Sequence, residues 1–456
     1  MSTDFAASPL LPTEKETLRN RAWRAYCALP LDREYRQLSF ALPHRVDVLS
    51  WLRQQVGVPK AYWHARGDDQ TWACAGAVTE WKSMVGTEAL ERVRRTVRGL
   101  DEGIRVVGGM AFSAHEFAPE WKSFGAVFFF IPRWTLVEDG ARTTLMLNLR
   151  GGENWEDVER YLEQLVQSTD DVATDPGTLP TARIDLPDFP GWQQAVESVL
   201  SAIEGRLLEK VVLARRVTFA FDQAVDAFQL MRRLQRGTPS AYHFLFDPGE
   251  GATFLGASPE RLAWVAGRTL ASEAVAGTRP RAHEEAEDDR LGEELLVSEK
   301  DLREHQFVRA HIEATLTPFT DQLSVDSTAS EMKLARGRHL VSKMTGQLKA
   351  DTHILDLLAA LHPTPAVGGT PSETARDWLR RHEPFARGWY AGPIGWCDAD
   401  GGEFAVGIRS GLVTDDALHL YSGAGIVTGS QPDAEWAEIG QKISDFEQAL
   451  GLEPRN

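Results

Sequence analysis

Hydrophobic positions recur along the chain in two rhythms, which together predict a mixture of helices and strands. Apolar residues spaced three and four apart are typical of amphipathic helices, and they occur in residues 85–104, 155–167, 192–205, 286–316 and 433–450. Short apolar runs bounded by glycine and proline predict strands at residues 105–114, 126–140, 143–150, 208–221, 241–246, 253–256, 260–266, 269–276, 388–397, 403–410, 412–415 and 417–422. Because the strands are clustered and joined by short turns, the predicted fold class is α+β with antiparallel sheets.

The segment of residues 171–191 is the best candidate for a linker, since it carries four prolines and two glycines. It divides the chain into an N-terminal α+β part, residues 21–185, and a C-terminal part, residues 186–456. Residues 1–20 are predicted to form a flexible leader.

Composition and charge exclude several classes of function. The chain has 456 residues, of which 43% are hydrophobic and 25% charged, and its formal net charge is −17. This acidic surplus argues against binding to nucleic acid or to an anionic membrane surface. The three cysteines lie far apart, which argues against a disulfide framework and against a zinc site. The N-terminus lacks the features of a signal peptide, so we expect a cytoplasmic protein with no membrane span.

Two predicted helices carry paired acids beside their apolar stripes. Glu435 and Glu438 are three residues apart on the last helix, with Lys442 one turn further on. Asp301 and Glu304 repeat this spacing on the helix predicted at residues 286–316. Carboxylates that converge from two helices could bind a hard divalent ion, and Mg²⁺ prefers oxygen ligands. Each pair could also be a solvated flank of its helix, and the spacing alone leaves both interpretations open.

Three further residues could carry chemistry. Lys210 begins a strand that is apolar on both faces, so it either lies at an exposed strand end, or is paired with an acid, or is buried and neutral, in which form it is a base. Glu260 follows a Ser-Pro turn, where a solvated glutamate is the simpler interpretation. Arg409, on a predicted strand, could clamp a carboxylate beside the glycine-rich segment 421–430, which we interpret as a strand-to-helix loop.

Eight motifs follow one another along residues 195–450, namely EKVVLAR, LGASPERL, AVAGTRPR, SEKDLREH, HPTPAVGGTP, GWCDADGGEFAVGIR, YSGAGIV and EWAEIGQK. In these motifs and their order the chain resembles the chorismate-utilising enzymes, and most closely the isochorismate synthases. The N-terminal part is similar more loosely, through GGMAFSA and FFFIPRW. The resemblance implies one large α+β unit, with two packed antiparallel sheets flanked by helices and an active site between the sheets.

The resemblance also implies a role for each site residue. Lys210 would be the base that activates water, and Glu260 the acid that protonates a departing hydroxyl group, so the lysine must be neutral and the glutamate protonated. Glu304 and Glu438 would bind Mg²⁺. Neighbouring acids would contact the ion through water, namely Asp301 and Glu435. A further set would bind the substrate, namely Gly277, Thr278, His339, Ala366, Arg409, Gly423 and Lys442.

The implied reaction is the Mg²⁺-dependent isomerisation of chorismate to isochorismate, in which water attacks C2 while the C4 hydroxyl group leaves. Its product would supply menaquinone or siderophore biosynthesis. In the ammonia-using members a glutamine usually replaces Lys210, so no amidotransferase subunit is expected. Salicylate synthases, which go on to eliminate pyruvate, share the lysine but tend to have threonine in place of Ala366. A non-catalytic protein of the same fold would be expected to lose a metal ligand or the acid–base pair. We expect a small-molecule substrate and a monomer or weak homodimer.

Overall fold

The computed structural model describes residues 12–30, 32–114, 118–140, 142–165, 179–282 and 284–452. Within these ranges the helices are α1 (Pro12–Cys27), α2 (Val48–Gln54), α3 (Thr87–Val97), α4 (Trp155–Gln164), α5 (Phe189–Glu204), α6 (Ala227–Gly237), α7 (Glu285–Val297), α8 (Glu299–Leu316), α9 (Ile354–Leu361), α10 (Ser372–His382) and α11 (Pro432–Ala449).

The strands in the same ranges are β1 (Tyr35–Ala41), β2 (Lys60–His64), β3 (Gln70–Ser83), β4 (Val106–Met110), β5 (Val127–Asp139), β6 (Thr143–Arg150), β7 (Ala182–Leu186), β8 (Lys210–Ala220), β9 (Tyr242–Asp247), β10 (Thr253–Ser258), β11 (Arg261–Ala266), β12 (Thr269–Pro280), β13 (Thr320–Val325), β14 (Ser330–Lys333), β15 (Gly337–Leu348), β16 (Gly369–Thr370), β17 (Pro393–Asp398), β18 (Gly401–Val406), β19 (Ser410–Val413) and β20 (Ala417–Ile426).

All strand pairs among the described residues are antiparallel, and they form two limbs that meet at one long pair. The long pair is β3 with β5. One limb continues from β5 through β4, β17, β18, β11 and β12 to β15. The other continues from β3 through β2, β9, β10, β19 and β20 to β8. The predicted α+β class with antiparallel strands is confirmed.

The hydrophobic core has two clusters, and strand β8 contributes to both. Val211 and Leu213 belong to the larger cluster, whereas Val217 and Phe219 belong to the second. These four residues lie on one face of the strand and the buried Val212 lies on the other, so the strand suits a position buried on both sides. The lysine that begins the strand is therefore held in the interior.

The structure differs from the sequence prediction in two segments, the N-terminal leader and the linker. Residues 12–20 of the predicted leader belong to helix α1, where Leu18 is buried, and residues 1–11 lie outside the described residues. Residues 171–178 of the predicted linker also lie outside them. The rest of that segment forms β7, which pairs with β8, and the start of α5.

The single helix predicted at residues 286–316 is wrong, because the structure breaks it into α7 and α8. Ser298 has an extended backbone, and its side-chain oxygen accepts a hydrogen bond from the Asp301 backbone N–H, which is the usual way a serine begins a helix. The apolar period runs through the break, so periodicity alone did not reveal it. None of the helices in the described ranges has the length and apolar character needed to cross a membrane.

Candidate active site

A pocket lies between the two limbs, where β8 and β20 face β12 and β15, and it is bordered by helices α8 and α11. Ten of the residues predicted from the sequence line it, namely Glu260, Gly277, Thr278, Glu304, His339, Ala366, Arg409, Gly423, Glu438 and Lys442. The other three, Lys210, Asp301 and Glu435, lie just behind this lining. The structure therefore brings together residues from nine separate segments of the chain.

Lys210 is completely buried at the start of β8. Its Nζ lies 3.1 Å from Oε1 of Glu304 and makes no regular hydrogen bond to any described residue. A buried ammonium without hydrogen bonds is costly, and its one close carboxylate is a predicted metal ligand. The exposed strand end that the sequence allowed for this lysine is thereby excluded.

Glu260, between β10 and β11, is only 3% exposed. Burial raises the pKa of its carboxyl to about 8, and the negative charge of Glu273 adds to the increase, against the opposing effect of Lys210 and Arg66. This direction agrees with the protonated Glu260 that the sequence predicted, and the buried position excludes a solvated turn glutamate. We call the region formed by Glu260, Glu273 and Arg66 the β10–β11 end of the pocket.

Glu273 and Arg66 were not predicted from the sequence. Arg66 comes from the loop after β2, and its Nη2 lies 2.7 Å from Oε2 of Glu273. Oε1 of Glu273 accepts a hydrogen bond of 2.8 Å from the backbone N–H of Arg261. These contacts fix a second buried carboxylate near Glu260, and only tertiary structure reveals that neighbour.

The other end of the pocket, which we call the α8–α11 end, is formed by Glu304, Glu435 and Glu438. Glu438 is partly exposed, and its Oε1 lies 2.8 Å from Nζ of Lys442, one turn along α11. Burial would raise the pKa of Glu438, but Lys442 and Lys300 outweigh that effect, so its pKa lies below the ordinary value. Glu438 is thus an anion at neutral pH, as a metal ligand must be.

The two predicted water-mediated partners already have cationic neighbours. Oδ2 of Asp301 lies 2.7 Å from Nη2 of Arg279. Glu435 is 1% exposed and forms an ion pair with Lys300. Burial, followed by the charge of Glu438, raises the pKa of Glu435. Both acids are therefore held in place by partners that the sequence did not predict.

The α8–α11 end has the chemistry of a Mg²⁺ site without being a preformed cage. Across the described ranges, no three His, Cys, Asp or Glu side chains are arranged around one point as a metal-binding group. Mg²⁺ nevertheless needs only one or two protein carboxylates, because water and substrate oxygens complete its shell. Glu304 and Glu438 both line the pocket, and the ammonium group of Lys300 forms an ion pair with the neighbouring Glu435. These residues fit a divalent cation.

His339 of β15 presents a free nitrogen to the pocket. Its Nδ1 lies 3.1 Å from the backbone oxygen of Gly277 and 3.2 Å from Oγ1 of Thr278. Burial lowers the pKa of His339 to about 3, with Arg409 and Lys442 adding to the decrease, so the ring is neutral. A carbonyl oxygen can only accept, so Nδ1 carries the proton and the buried, unpartnered Nε2 can accept a hydrogen bond.

Residues 421–426 of the glycine-rich segment form the end of strand β20, and only residues 427–430 lie in the predicted strand-to-helix link, so the loop is shorter than predicted. The glycines of β20 leave room for side chains of the pocket. A Cβ on Gly425 would lie 2.1 Å from Oε1 of Glu304 and 3.0 Å from Cε of Lys210. The backbone oxygen of Gly423 accepts a hydrogen bond of 2.8 Å from Nζ of Lys442.

Arg409 also differs from the prediction, because it lies in the link between β18 and β19 rather than on a strand. Its φ of 49° is in the left-handed region, which is uncommon for a residue other than glycine. Nη1 lies 3.3 Å from Oδ2 of Asp445. The side chain still reaches the pocket, and Ala366 lines the same space.

Comparison with known proteins agrees with this geometry. The model of the family described as "Chorismate binding enzyme" matches residues 31–451. The isochorismate synthase MenF of Bacillus subtilis is 35% identical over 383 residues, which cover 81% of each chain. The salicylate biosynthesis isochorismate synthase of Pseudomonas aeruginosa is 40% identical over 260 residues, which cover 57% of this chain and 54% of that relative.

Among solved structures, the chain is similar to MenF of Escherichia coli, the menaquinone-specific isochorismate synthase. The TM-score is 0.83 at 30% sequence identity, and the match covers 96% of this chain and 99% of the other. Nearly the whole architecture is therefore shared.

Proposed function

The chain belongs to the chorismate-binding enzyme family, as one of its isochorismate synthases, which are isomerases, and from this premise we propose how its pocket converts chorismate to isochorismate. The observation that carries the proposal is that one pocket brings together a fully buried lysine, Lys210, a buried glutamate with a raised pKa, Glu260, and an ionised glutamate, Glu438. Addition of water at C2 and loss of the C4 hydroxyl group need a base, an acid and a means of holding an anionic substrate.

In this proposal Lys210 removes a proton from the attacking water and Glu260 gives its proton to the departing hydroxyl group. Glu260 suits the second role because its pKa of about 8 keeps it protonated at neutral pH. Lys210 suits the first because its side chain is fully buried directly behind the pocket lining, beside Glu304.

We propose that Glu304 and Glu438 hold Mg²⁺, with Asp301 and Glu435 nearby to contact it through water. When bound, the ion would offset negative charge on the substrate's ring carboxylate as the double bonds shift. Glu304 also lies 3.1 Å from Nζ of Lys210, so the proposed metal ligand and the proposed base are direct neighbours.

The substrate carries two carboxylates, whereas the protein has a net charge of −17, so attraction must be local. Arg409 and Lys442 are the cations that line the pocket and can supply it. Nε2 of His339 can accept a hydrogen bond from a ring hydroxyl group, and Gly277, Thr278 and Gly423 would line the ring and its side chain. Ala366 leaves space at the remaining wall.

The alternative is a salicylate synthase, which would eliminate pyruvate from isochorismate in the same pocket. The chain has alanine rather than threonine at position 366, and the relatives described above are named isochorismate synthases. Those names include menaquinone-specific and salicylate-related enzymes, so the proposal leaves both menaquinone and siderophore pathways open. The proposal also includes a cytoplasmic location, no amidotransferase subunit, and a monomer or weak homodimer.

The test is product analysis with the purified protein, chorismate and Mg²⁺. We expect isochorismate to form, to depend on Mg²⁺, and to exceed pyruvate at all times. Accumulation of equal amounts of salicylate and pyruvate would favour the lyase. No conversion by a folded protein with Mg²⁺ would contradict the proposal.

A further inference from the structure

Lys300 connects the two helices of the α8–α11 end. It lies in the first turn of α8, one turn before Glu304, and Ser298 caps that turn. Its Nζ forms an ion pair with Glu435 of α11, which is three residues from Glu438. Residues four apart on a helix share a face, so the ammonium and the Glu304 carboxylate point in the same general direction.

The charge of Lys300 acts on three acids of the proposed metal site. Burial would lower the pKa of Lys300, but Glu435, then Glu438 and Glu304, more than compensate, so its pKa is raised. Glu435 is 1% exposed, and an unpaired carboxylate there would be strongly disfavoured. Lys300 therefore supplies the positive charge that stabilises these acids when no metal ion is bound.

Lys300 also lies at an approach to the pocket. A second cavity of about 520 Å³ is lined by Lys300, Glu435 and Glu438 among others. Glu438 and Thr278 line both this cavity and the substrate pocket. A cation that reaches Glu438 from this side meets the Lys300 ammonium on the way.

We propose that Lys300 is a built-in counter-cation that competes with Mg²⁺ for the acids of the α8–α11 end and so weakens metal binding to the substrate-free enzyme. This inference rests on the metal site proposed above. Two positive charges near the same carboxylates repel each other, and Glu435 becomes available to the metal's water shell only when Lys300 releases it. The substrate's own carboxylates add negative charge at the pocket, which favours the ion over the lysine alone.

The test is Mg²⁺ binding to the substrate-free protein, measured by isothermal titration calorimetry. Lys300→Gln removes the charge and keeps a polar side chain that can hydrogen-bond to Glu435. We expect its Kd for Mg²⁺ to fall about tenfold, since removing one nearby charge is worth a Coulomb interaction of that order. Lys333→Gln is the matched control, because Lys333 is also ion-paired but lies on β14, outside the lining of both cavities, and its Kd should equal that of the original protein.

Lys300→Arg is a second variant, which still tests the inference if Lys300→Gln fails to fold. Its guanidinium keeps the charge and can hold Glu435 with two hydrogen bonds, so we expect equal or weaker Mg²⁺ binding. An unchanged or higher Kd in folded Lys300→Gln, or tighter binding by Lys300→Arg, would overturn the inference. If the original protein and both variants all fail to bind Mg²⁺, the proposed metal site itself is wrong.

Mg²⁺-dependent stabilisation gives a second measurement that needs no substrate. A ligand that binds only the folded state raises Tm according to its concentration over its Kd. At one fixed Mg²⁺ concentration, Lys300→Gln should therefore show a larger rise in Tm than the original protein or Lys333→Gln. A smaller rise in Lys300→Gln would mean that the lysine supports the metal site rather than competing with the ion.

Discussion

The two ends of the pocket use the same side chain in opposite charge states. At the β10–β11 end, burial and the neighbouring Glu273 raise the pKa of Glu260 to about 8. At the α8–α11 end, Lys442 and Lys300 overcome burial, so the pKa of Glu438 is lowered. The difference shows that neighbours rather than residue type assign one glutamate to proton donation and the other to cation binding.

The two ends should fail in different ways when they are mutated. Changes at the α8–α11 end should alter the dependence on Mg²⁺ and leave the alkaline limit of activity in place. Changes at the β10–β11 end should alter the pH profile and leave the Mg²⁺ requirement in place. Each experiment below tests whether the two functions can be separated in this manner.

The largest effect is expected at the α8–α11 end. Glu304→Ala and Glu438→Ala should each reduce Mg²⁺-dependent isochorismate formation at least about a thousandfold, because a bound metal ion contributes several kcal/mol to such a transition state. Glu299→Ala, in the same helical turn as Lys300 but exposed, is the control and should retain activity. Rates measured across a Mg²⁺ titration give the answer, and an unchanged titration in both variants would rule out this end as the metal site.

Lys210→Gln tests the residue that lies beside Glu304. Loss of a general base typically costs about 10²- to 10⁴-fold in kcat, and glutamine cannot take the proton. The control is Lys60→Gln, which changes another largely buried strand lysine outside the pocket and should keep its rate. Near-normal isochorismate formation by folded Lys210→Gln protein would remove this lysine from the mechanism.

The pH profile tests the β10–β11 end. The reaction needs protonated Glu260, so kcat/KM should fall as pH rises through about 8. Glu273→Gln removes the like charge that helps raise this pKa, so the fall should begin at a lower pH. Glu403→Gln, a buried acid bonded to Arg261, is the control. An alkaline limit that does not move in Glu273→Gln would show that Glu260 is not the group that sets it.

The smallest effect is expected at Ala366, which belongs to neither end. Ala366→Thr should shift the products a few-fold toward salicylate and pyruvate, because added bulk at this wall can favour the substrate conformer that eliminates pyruvate. Overpacking would instead lower all activity together, at a cost of about 1–3 kcal/mol. Isochorismate and pyruvate measured in parallel distinguish the two, and a proportional decrease in both would make Ala366 a packing residue.

The residues that line the pocket could be predicted from the sequence because they lie in short motifs that follow one another in a recognisable order. The sequence could not predict the partners that set charge. Glu273 and Arg66 are 207 positions apart, and Lys300 and Glu435 are 135 apart, so no local pattern connects them. It also misjudged Ser298 and the glycines of β20, because serine is compatible with a helix and glycine with a loop until packing decides otherwise.

The way in which the two limbs are joined has a consequence for how the chain folds. Strands β2 and β4, from the first third of the chain, pair with β9 and β17, which come much later. Contacts between such distant residues form slowly, because a long loop must close before they stabilise anything. A fragment that begins at residue 186 would expose the edges of β9 and β17, which are templates for aggregation, and would lack Arg66. Assembly of the whole chain is thus needed to complete the surroundings of Glu260 and Glu273.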